Sequence, residues 1–393
     1  MPATNILSDI RVADMTTVMF GPYCTQTLAD MGADVIKIEP PAGDMMRYGG
    51  KPANTRGMGP MHMTINRGKR SVALDQKTEI GKEATRRLIE TSDIFIHNVL
   101  DSSIKRLNLS FDEVKEIKKD IVYVHCTGFS SQGPYAGKPA FDDIIQSLSG
   151  MTTLIPRLEG DEPPRCLPTM IVDKVSALHA VYAVLAALRE RDKTGEAVFV
   201  EVPMFECATH FLLEDHFDGA VFDPPSDDFG FKRSFERTLQ PMKTKDDWIM
   251  IAPYTDSRWL KTFEVLGATK ELEDEKLKDR KSRFYNSAYM HQRMHPYLET
   301  NTTEHWVKVF TEAKIPAARV NSFKDLYDDP HLKATNFFTK REHNTEGDYW
   351  EIQPPVKFHN KPEKEIQPAP HIGEHTDSIL AELGIKAESD NGS

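Results

Sequence analysis

Between Ile10 and Phe129 short apolar runs alternate with helical patterns, and this alternation limits the fold more than any other feature of the chain. The runs are "IRVADM" from Ile10, "ADVIKIE" from Ala33, "RSVALD" from Arg70, "DIFIHN" from Asp93 and "IVYVHCTGF" from Ile121. Amphipathic or polar helical stretches separate most of them, including "PYCTQTLADMG", "EIGKEATRRLIETS" and "FDEVKEIKKD". Strands joined through helices pair in parallel, and both faces of such a sheet become covered. In the first helix Pro22 suits the first turn and Gly32 the C-terminal cap. At 393 residues the chain predicts two domains, or one large domain with an insertion.

The pattern changes after Gly150. "DKVSALHAVYAVLAALRERDKTG" is helical, with apolar residues at Val175, Leu178, Val181, Leu185 and Leu188. "AVFVEVPMFECATHFLLEDHF" reads as a strand followed by a helix. Asp223 to Pro241 is rich in proline and charge and reads as a linker. "WIMIAP", "SRWLKTFEVLG" and "TEHWVKVFTEAK" then predict a second α/β unit. Five prolines between Pro354 and Pro370 predict an extended surface segment, and "HTDSILAELGI" a closing helix.

The first strand and helix resemble the opening of a dinucleotide-binding fold, but the turn between them, "MTTVMFGPY", carries Gly21 alone. The G-x-G-x-x-G loop that lets a backbone approach a pyrophosphate is missing, so a nicotinamide oxidoreductase is disfavoured, although Glu39 occupies the ribose-binding position. A Walker loop is absent as well. Arg67, Lys69 and Arg70 form a basic run, read either as a solvated turn or as a site for an anionic group. A formal charge of −11 argues against nucleic acid as a partner but leaves room for a small anion at a local basic patch. Cys24, Cys126, Cys166 and Cys207 are widely spaced, which fits a reduced, cytoplasmic protein without a metal site. No apolar run approaches the ~18 residues of a membrane span, no signal peptide opens the chain, and "SDNGS" is no peroxisomal signal.

Six blocks occur in a telling order: "GPYCTQTLADMGADVIKIEPPAGDMMR", "NRGKRSVALD", "DIFIHNVLDSSIKRLNLSFDEV", "IVYVHCTGFSSQGPYAGKPAFDDIIQSLSGM", "AARVNSFKDLYDDPHLKATNFF" and "GEHTDSILAELGI". Together they resemble the class III coenzyme A transferase family, which includes formyl-CoA transferase, carnitine CoA-transferase and the α-methylacyl-CoA racemases. The resemblance implies an α/β fold: a Rossmann-like large domain with an inserted smaller α/β domain, in an interlocked homodimer. It places the first part of the large CoA-binding domain at 1–215, the small domain at 225–328 and a return segment at 329–393. Coenzyme A is then a co-substrate, with no tightly bound cofactor, no metal and no membrane partner. By position the CoA site comprises Val18, Met19 and Phe20, then Leu74, Asp75, Gln76 and Lys77, then Asn98, Val99 and Leu100, with Arg106 and Thr127, Gly128 and Phe129.

The same resemblance makes Asp173 the nucleophile. On the residues alone Asp173 reads as an N-cap of the strongest helix, and a helix N-terminus would also favour its ionised form. The implied reaction moves coenzyme A from an acyl-CoA donor to a carboxylic acid acceptor through covalent aspartyl intermediates. Each step exchanges one activated acyl group for another, so the reaction needs no ATP or metal. A racemase would need a histidine in a G-H-D context, where this chain has Ala140-Phe141-Asp142. Asp142 and Asp143 then read as helix N-caps, and His125 and His179 as structural. No run of glycines lies between Phe211 and Thr238, unlike formyl-CoA transferase, which argues against oxalate or formate as substrates. Arg233 and Arg237 are candidates for an acceptor carboxylate. A non-catalytic CoA-binding protein is the remaining alternative, and Asp173 argues against it.

Overall fold

The computed structural model describes residues 3–160, 162–359 and 363–385. Six parallel strands form its main sheet: β1 (Arg11–Met15), β2 (Asp34–Glu39), β3 (Lys69–Ala73), β4 (Ile94–His97), β5 (Val122–Thr127) and β6 (Val198–Pro203). Their spatial order is β3-β2-β1-β4-β5-β6, the order of the doubly wound dinucleotide folds. The expected strands are all present, with small shifts at their ends. Helices α1 (Phe20–Asp30), α2 (Glu79–Glu90), α3 (Asp101–Arg106), α4 (Phe111–Ile117), α5 (Asp142–Leu148) and α6 (Ile171–Thr194) follow in chain order.

Alternation along the strands sends side chains to two covered faces. Ala13, Met15, Ile36, Ile38 and Phe95 pack with Leu88 and Ile89 of α2, Val114 of α4, and Ile379 and Leu380 of the helix Thr376–Glu382. Each large apolar side chain buried here contributes about 1.5–3 kcal/mol. The opposite face meets α1 and α6. Asp14 and Lys69 point that way and are fully buried: Asp14 accepts from Thr25 Oγ1 of α1, and Lys69 Nζ donates to the Pro22 carbonyl.

Helix α1 stops at Met31, and Gly32 follows with φ of +105°. A Cβ at Gly32 would lie 2.3 Å from the Thr4 carbonyl oxygen, so the turn needs glycine for both reasons. Helix α6 corrects one expectation. Its 24 residues are long and apolar enough to cross a membrane by length and composition. It packs on α1, α5, β5 and β6 instead, as the core helix of a covered sheet does.

The chain divides into two compact units. The first draws on Met1–Thr152, Cys166–Leu212 and His331–Ser393. Its last segment is stitched to the first: Gly68 N–H donates to the Gln367 carbonyl (2.8 Å), Arg47 Nη1 to the Pro370 carbonyl (3.0 Å), and His375 N–H to the Ser71 carbonyl (2.9 Å). An antiparallel hairpin, Phe338–His343 with Gly347–Ile352, also belongs to this segment and was not expected from the sequence.

The second unit comprises Thr153–Arg165 and Leu213–Pro330. Strand Trp248–Ile251 pairs antiparallel with Met242–Lys243 and with Ala317–Arg319. Helices Asp256–Val265, Ser287–Leu298 and Thr303–Glu312 enclose Trp259, Phe263, Met290, Met294, Trp306 and Phe310. Thr255 and Thr302 cap two of these helices through their side chains, as hydroxyl residues commonly do. The expected linker is more structured than its composition implies. It holds two short 3₁₀ turns, Arg237 Nε donates to the Leu158 carbonyl (2.6 Å), and the Arg233 guanidinium lies 4.9 Å from the Tyr254 ring centre.

Candidate active site

In a doubly wound sheet a ligand crevice forms at the carboxyl ends of the strands where the strand order reverses. Here that point lies between β1 and β4. Thr17 follows β1 and Asn98 follows β4, and the two lock together. Thr17 N–H donates to Asn98 Oδ1 (3.0 Å), and Asn98 Nδ2 donates back to the Thr17 carbonyl (2.9 Å). A cavity of about 460 Å³ opens beside them.

Of the residues expected at the CoA site, Val18, Phe20, Asn98, Val99, Leu100, Thr127, Gly128 and Phe129 line this cavity, and so does Asp173. The others lie elsewhere. Met19 faces a separate apolar cavity on the other side of the start of α1. Leu74 is buried in the core under α2, because its strand alternation turns it away from solvent. Asp75 closes a turn by accepting from Lys77 N–H (2.9 Å), and Gln76 donates to Thr85 Oγ1 (2.7 Å). Lys77 and Arg106 are exposed, and Arg106 Nη2 donates to Ser103 Oγ (2.7 Å). Sequence reasoning missed Thr17, Lys105, His125, Lys138, Glu201 and Met204, which also line the cavity. Thr17 and Met204 were findable: each lies just beyond the end of a strand at the crevice.

The basic run is not a free anion site. Lys69 pairs with Asp14 (3.2 Å), Arg67 with Asp30 (2.7 Å) and Arg70 with Asp34 (2.7 Å) and Glu382 (2.6 Å). Lys69 is fully buried, so the solvated-turn reading fails for it too. Glu39 is held by Arg47 Nε (2.8 Å) and Ser71 Oγ (2.5 Å) and is not open to a ribose. His125 does not sit apart from the site, since it lines the cavity and stacks on buried His97, ring centres 4.6 Å apart.

Asp173 is the third residue of α6 and does not cap it. Asp142 does that from α5: its Oδ2 accepts from Val172 N–H (2.8 Å) and Asp173 N–H (3.0 Å). The N-cap position of α5 itself is Phe141. The backbone of Phe20, the first residue of α1, favours the ionised form of the Asp173 carboxyl, and both residues line the cavity. Met19, the residue capping α1, offers no side-chain bond there. Asp173 thus sits in the first turn of its own helix and beside the first residue of α1. Burial is the largest influence on its charge, followed by the Asp142 and Asp143 carboxylates. Together they outweigh the favourable influence of the Phe20 backbone and push the carboxyl up to about 7. The expectation of an easily ionised carboxylate is corrected accordingly.

If reaction requires the Asp173 carboxylate, kcat/KM will rise with pH through a midpoint near 7. Asp142→Asn keeps an oxygen to cap α6 but removes one facing charge. Its midpoint will fall by about 1 pH unit. An unmoved midpoint in the kcat/KM profile of Asp142→Asn would show that another group titrates.

An open doubly wound sheet, a cavity at its switch point and a buried carboxylate inside that cavity put a candidate catalytic group where α/β enzymes of this topology hold their ligands. The family model described as CoA-transferase family III matches residues 7–376, so the chain belongs to that family and is an enzyme of its class. Among relatives, the probable fatty acyl-CoA transferase Rv3272 of Mycobacterium tuberculosis is 29% identical over 399 residues, covering 97% of this chain and 100% of the relative. Human succinyl-CoA:glutarate CoA-transferase is 25% identical over 379 residues, covering 96% of this chain and 86% of its own length. A CaiB/BaiF family protein from Brucella suis superposes with a TM-score of 0.83 at 26% identity, covering 98% of this chain and 100% of that one.

Proposed function

We propose that the protein transfers coenzyme A from an acyl-CoA to a carboxylic acid, with Asp173 as the covalent nucleophile. The observation that carries this reading is the Asp173 carboxylate inside the switch-point cavity of a family III chain. An Asp173 oxygen attacks the thioester carbonyl, the C–S bond breaks, and CoA thiolate and a mixed anhydride form. The thiolate then attacks the aspartyl carbonyl, leaving an aspartyl-CoA thioester and the free donor acid. The acceptor carboxylate attacks that thioester and again expels thiolate. The thiolate takes the acceptor's acyl group from the new anhydride, and the Asp173 carboxylate returns.

The electrostatics support this sequence. Burial and two facing carboxylates make the charged form of Asp173 costly. Acylation removes that charge, so the covalent states are relieved of what the free carboxylate endures. Val18, Asn98 and Thr127 to Phe129 would border the thioester end of coenzyme A, because they share the cavity with Asp173. The family resemblance further supports a homodimer. Sedimentation at nanomolar concentration should show no folded monomer.

The activity test is a CoA-transfer assay read by mass spectrometry, with a panel of acyl-CoAs and carboxylic acids. Exchange of CoA between members of the panel is expected. Hydrolysis alone, or no reaction with any pair, would sink the transferase reading for this chain.

A further inference from the structure

Val18 has φ of +71°. For a β-branched residue this left-handed conformation is a genuine, strained outlier. It persists only where surrounding groups over-determine it. Three consecutive backbone units are pinned here by side chains, of which Lys37 and Asp44 are buried and Asn98 half-buried. The Thr16 carbonyl accepts from Lys37 Nζ (2.8 Å). Thr17 is bracketed on both sides by Asn98. Val18 N–H donates to Asp44 Oδ1 (3.3 Å).

The pins are themselves joined. Lys37 Nζ lies 2.9 Å from Asp44 Oδ2, and neither side chain is exposed. Asp44 N–H donates to Glu39 Oε2 (3.0 Å), and Glu39 pairs with Arg47. Burying so many charges is costly and weak evidence of stabilisation in its own right. Two residues beyond Val18 stands Phe20, which lines the cavity with Asp173 and whose backbone favours the ionised carboxylate.

We propose that Lys37 and Asp44 are positioning residues, which hold the Thr16–Val18 turn in its strained form so that the turn and Phe20 keep their place beside Asp173 on the cavity wall. This deepens the transferase reading and rests on it for the catalytic consequence. Neither side chain lines the cavity, so they act through the turn. The groups that face Asp173 in charge are Asp142 and Asp143, and the clamp touches neither.

The test uses Asp44→Asn, which keeps the side-chain size but loses the charge opposite Lys37. Its turn should relax, and the Asp173 carboxyl should titrate higher by about half a unit or more. That is read by NMR of protein labelled at aspartate carboxyl carbons, with Asp173→Asn assigning the signal. kcat should fall at least tenfold. Adding Val18→Gly should recover most of that loss, because glycine adopts a positive φ without strain. Circular dichroism and sedimentation confirm that each variant is folded. If Asp44→Asn leaves the Asp173 titration unmoved, or if Val18→Gly worsens the Asp44→Asn protein, the clamp is refuted. The titration reads the placement of the turn and Phe20 beside Asp173 whether or not Asp173 carries an acyl group. A moved titration without any acyl label at Asp173 would therefore refute the nucleophile and leave the clamp standing.

Discussion

Asp173→Asn will lower CoA transfer by about 10⁴-fold or more while leaving the protein folded and more stable at neutral pH. The amide fills the same volume and keeps an acceptor oxygen, but it is no nucleophile. Its effect on stability follows from the raised carboxyl. The native group titrates near 7 and the unfolded one near 3.8, so between these values the folded state binds more protons. Stability from Asp173 is therefore present in acid and lost as pH rises toward 7. The loss is at most about 4 kcal/mol, from roughly three units at 1.36 kcal/mol each. Asp173→Asn escapes it, and its denaturation midpoint should exceed the parent's at pH 8 and match it at pH 4. Hydroxylamine added with acyl-CoA should leave a hydroxamate on the Asp173 peptide of the parent. Near-normal transfer by Asp173→Asn, or a label on another residue, would overturn the assignment.

The second large effect is structural. Lys69→Met should destabilise the fold by about 3–5 kcal/mol, because it strands Asp14 as a buried charge without its nearest partner. Lys69 also donates to Asn66 Oδ1 (2.8 Å) and the Pro22 carbonyl (3.0 Å), so the start of α1 loosens with it. Burial is the largest influence on Lys69 and, with the nearby Lys37 charge, outweighs its attraction to Asp14 and pulls it down to about 8. Asp14→Asn added to Lys69→Met removes the stranded charge and should restore a substantial part of the loss. Urea titration reads both. A Lys69→Met midpoint equal to the parent's would mean that solvent or Lys37 compensates Asp14 fully.

These two residues show where sequence reading succeeds and stops. The strands were legible because Val, Ile and Phe cluster in short runs between helical patterns. The fate of the charges among them was not. In "DVIKIE" Lys37 alternates as a solvent-facing residue would, yet both faces of this sheet are covered and Lys37 meets Asp44. Asp173 was located through a family pattern, but its environment was misjudged. The cap of α6 comes from Asp142, 31 positions earlier, and local pattern carries no sign of a partner that distant. The hairpin at Phe338–Ile352 is a different kind of miss. Its alternating aromatic and charged residues around "NTEG" carried a readable signal.

The three-segment construction of the first unit has a consequence for synthesis. Gly68 N–H finds its carbonyl partner at Gln367 and Arg47 Nη1 its shortest carbonyl contact at Pro370, some three hundred residues downstream. The unit's second segment ends at Leu212 and its last begins at His331. At 5–20 residues per second a ribosome spends roughly 6–24 s making the intervening stretch. During that interval the central strands exist while the helix that covers Ala73 and Leu88 from the far end of the chain does not. The nascent chain must wait with part of one sheet face uncovered, and chaperone demand during translation should exceed that of a domain whose segments emerge in one piece.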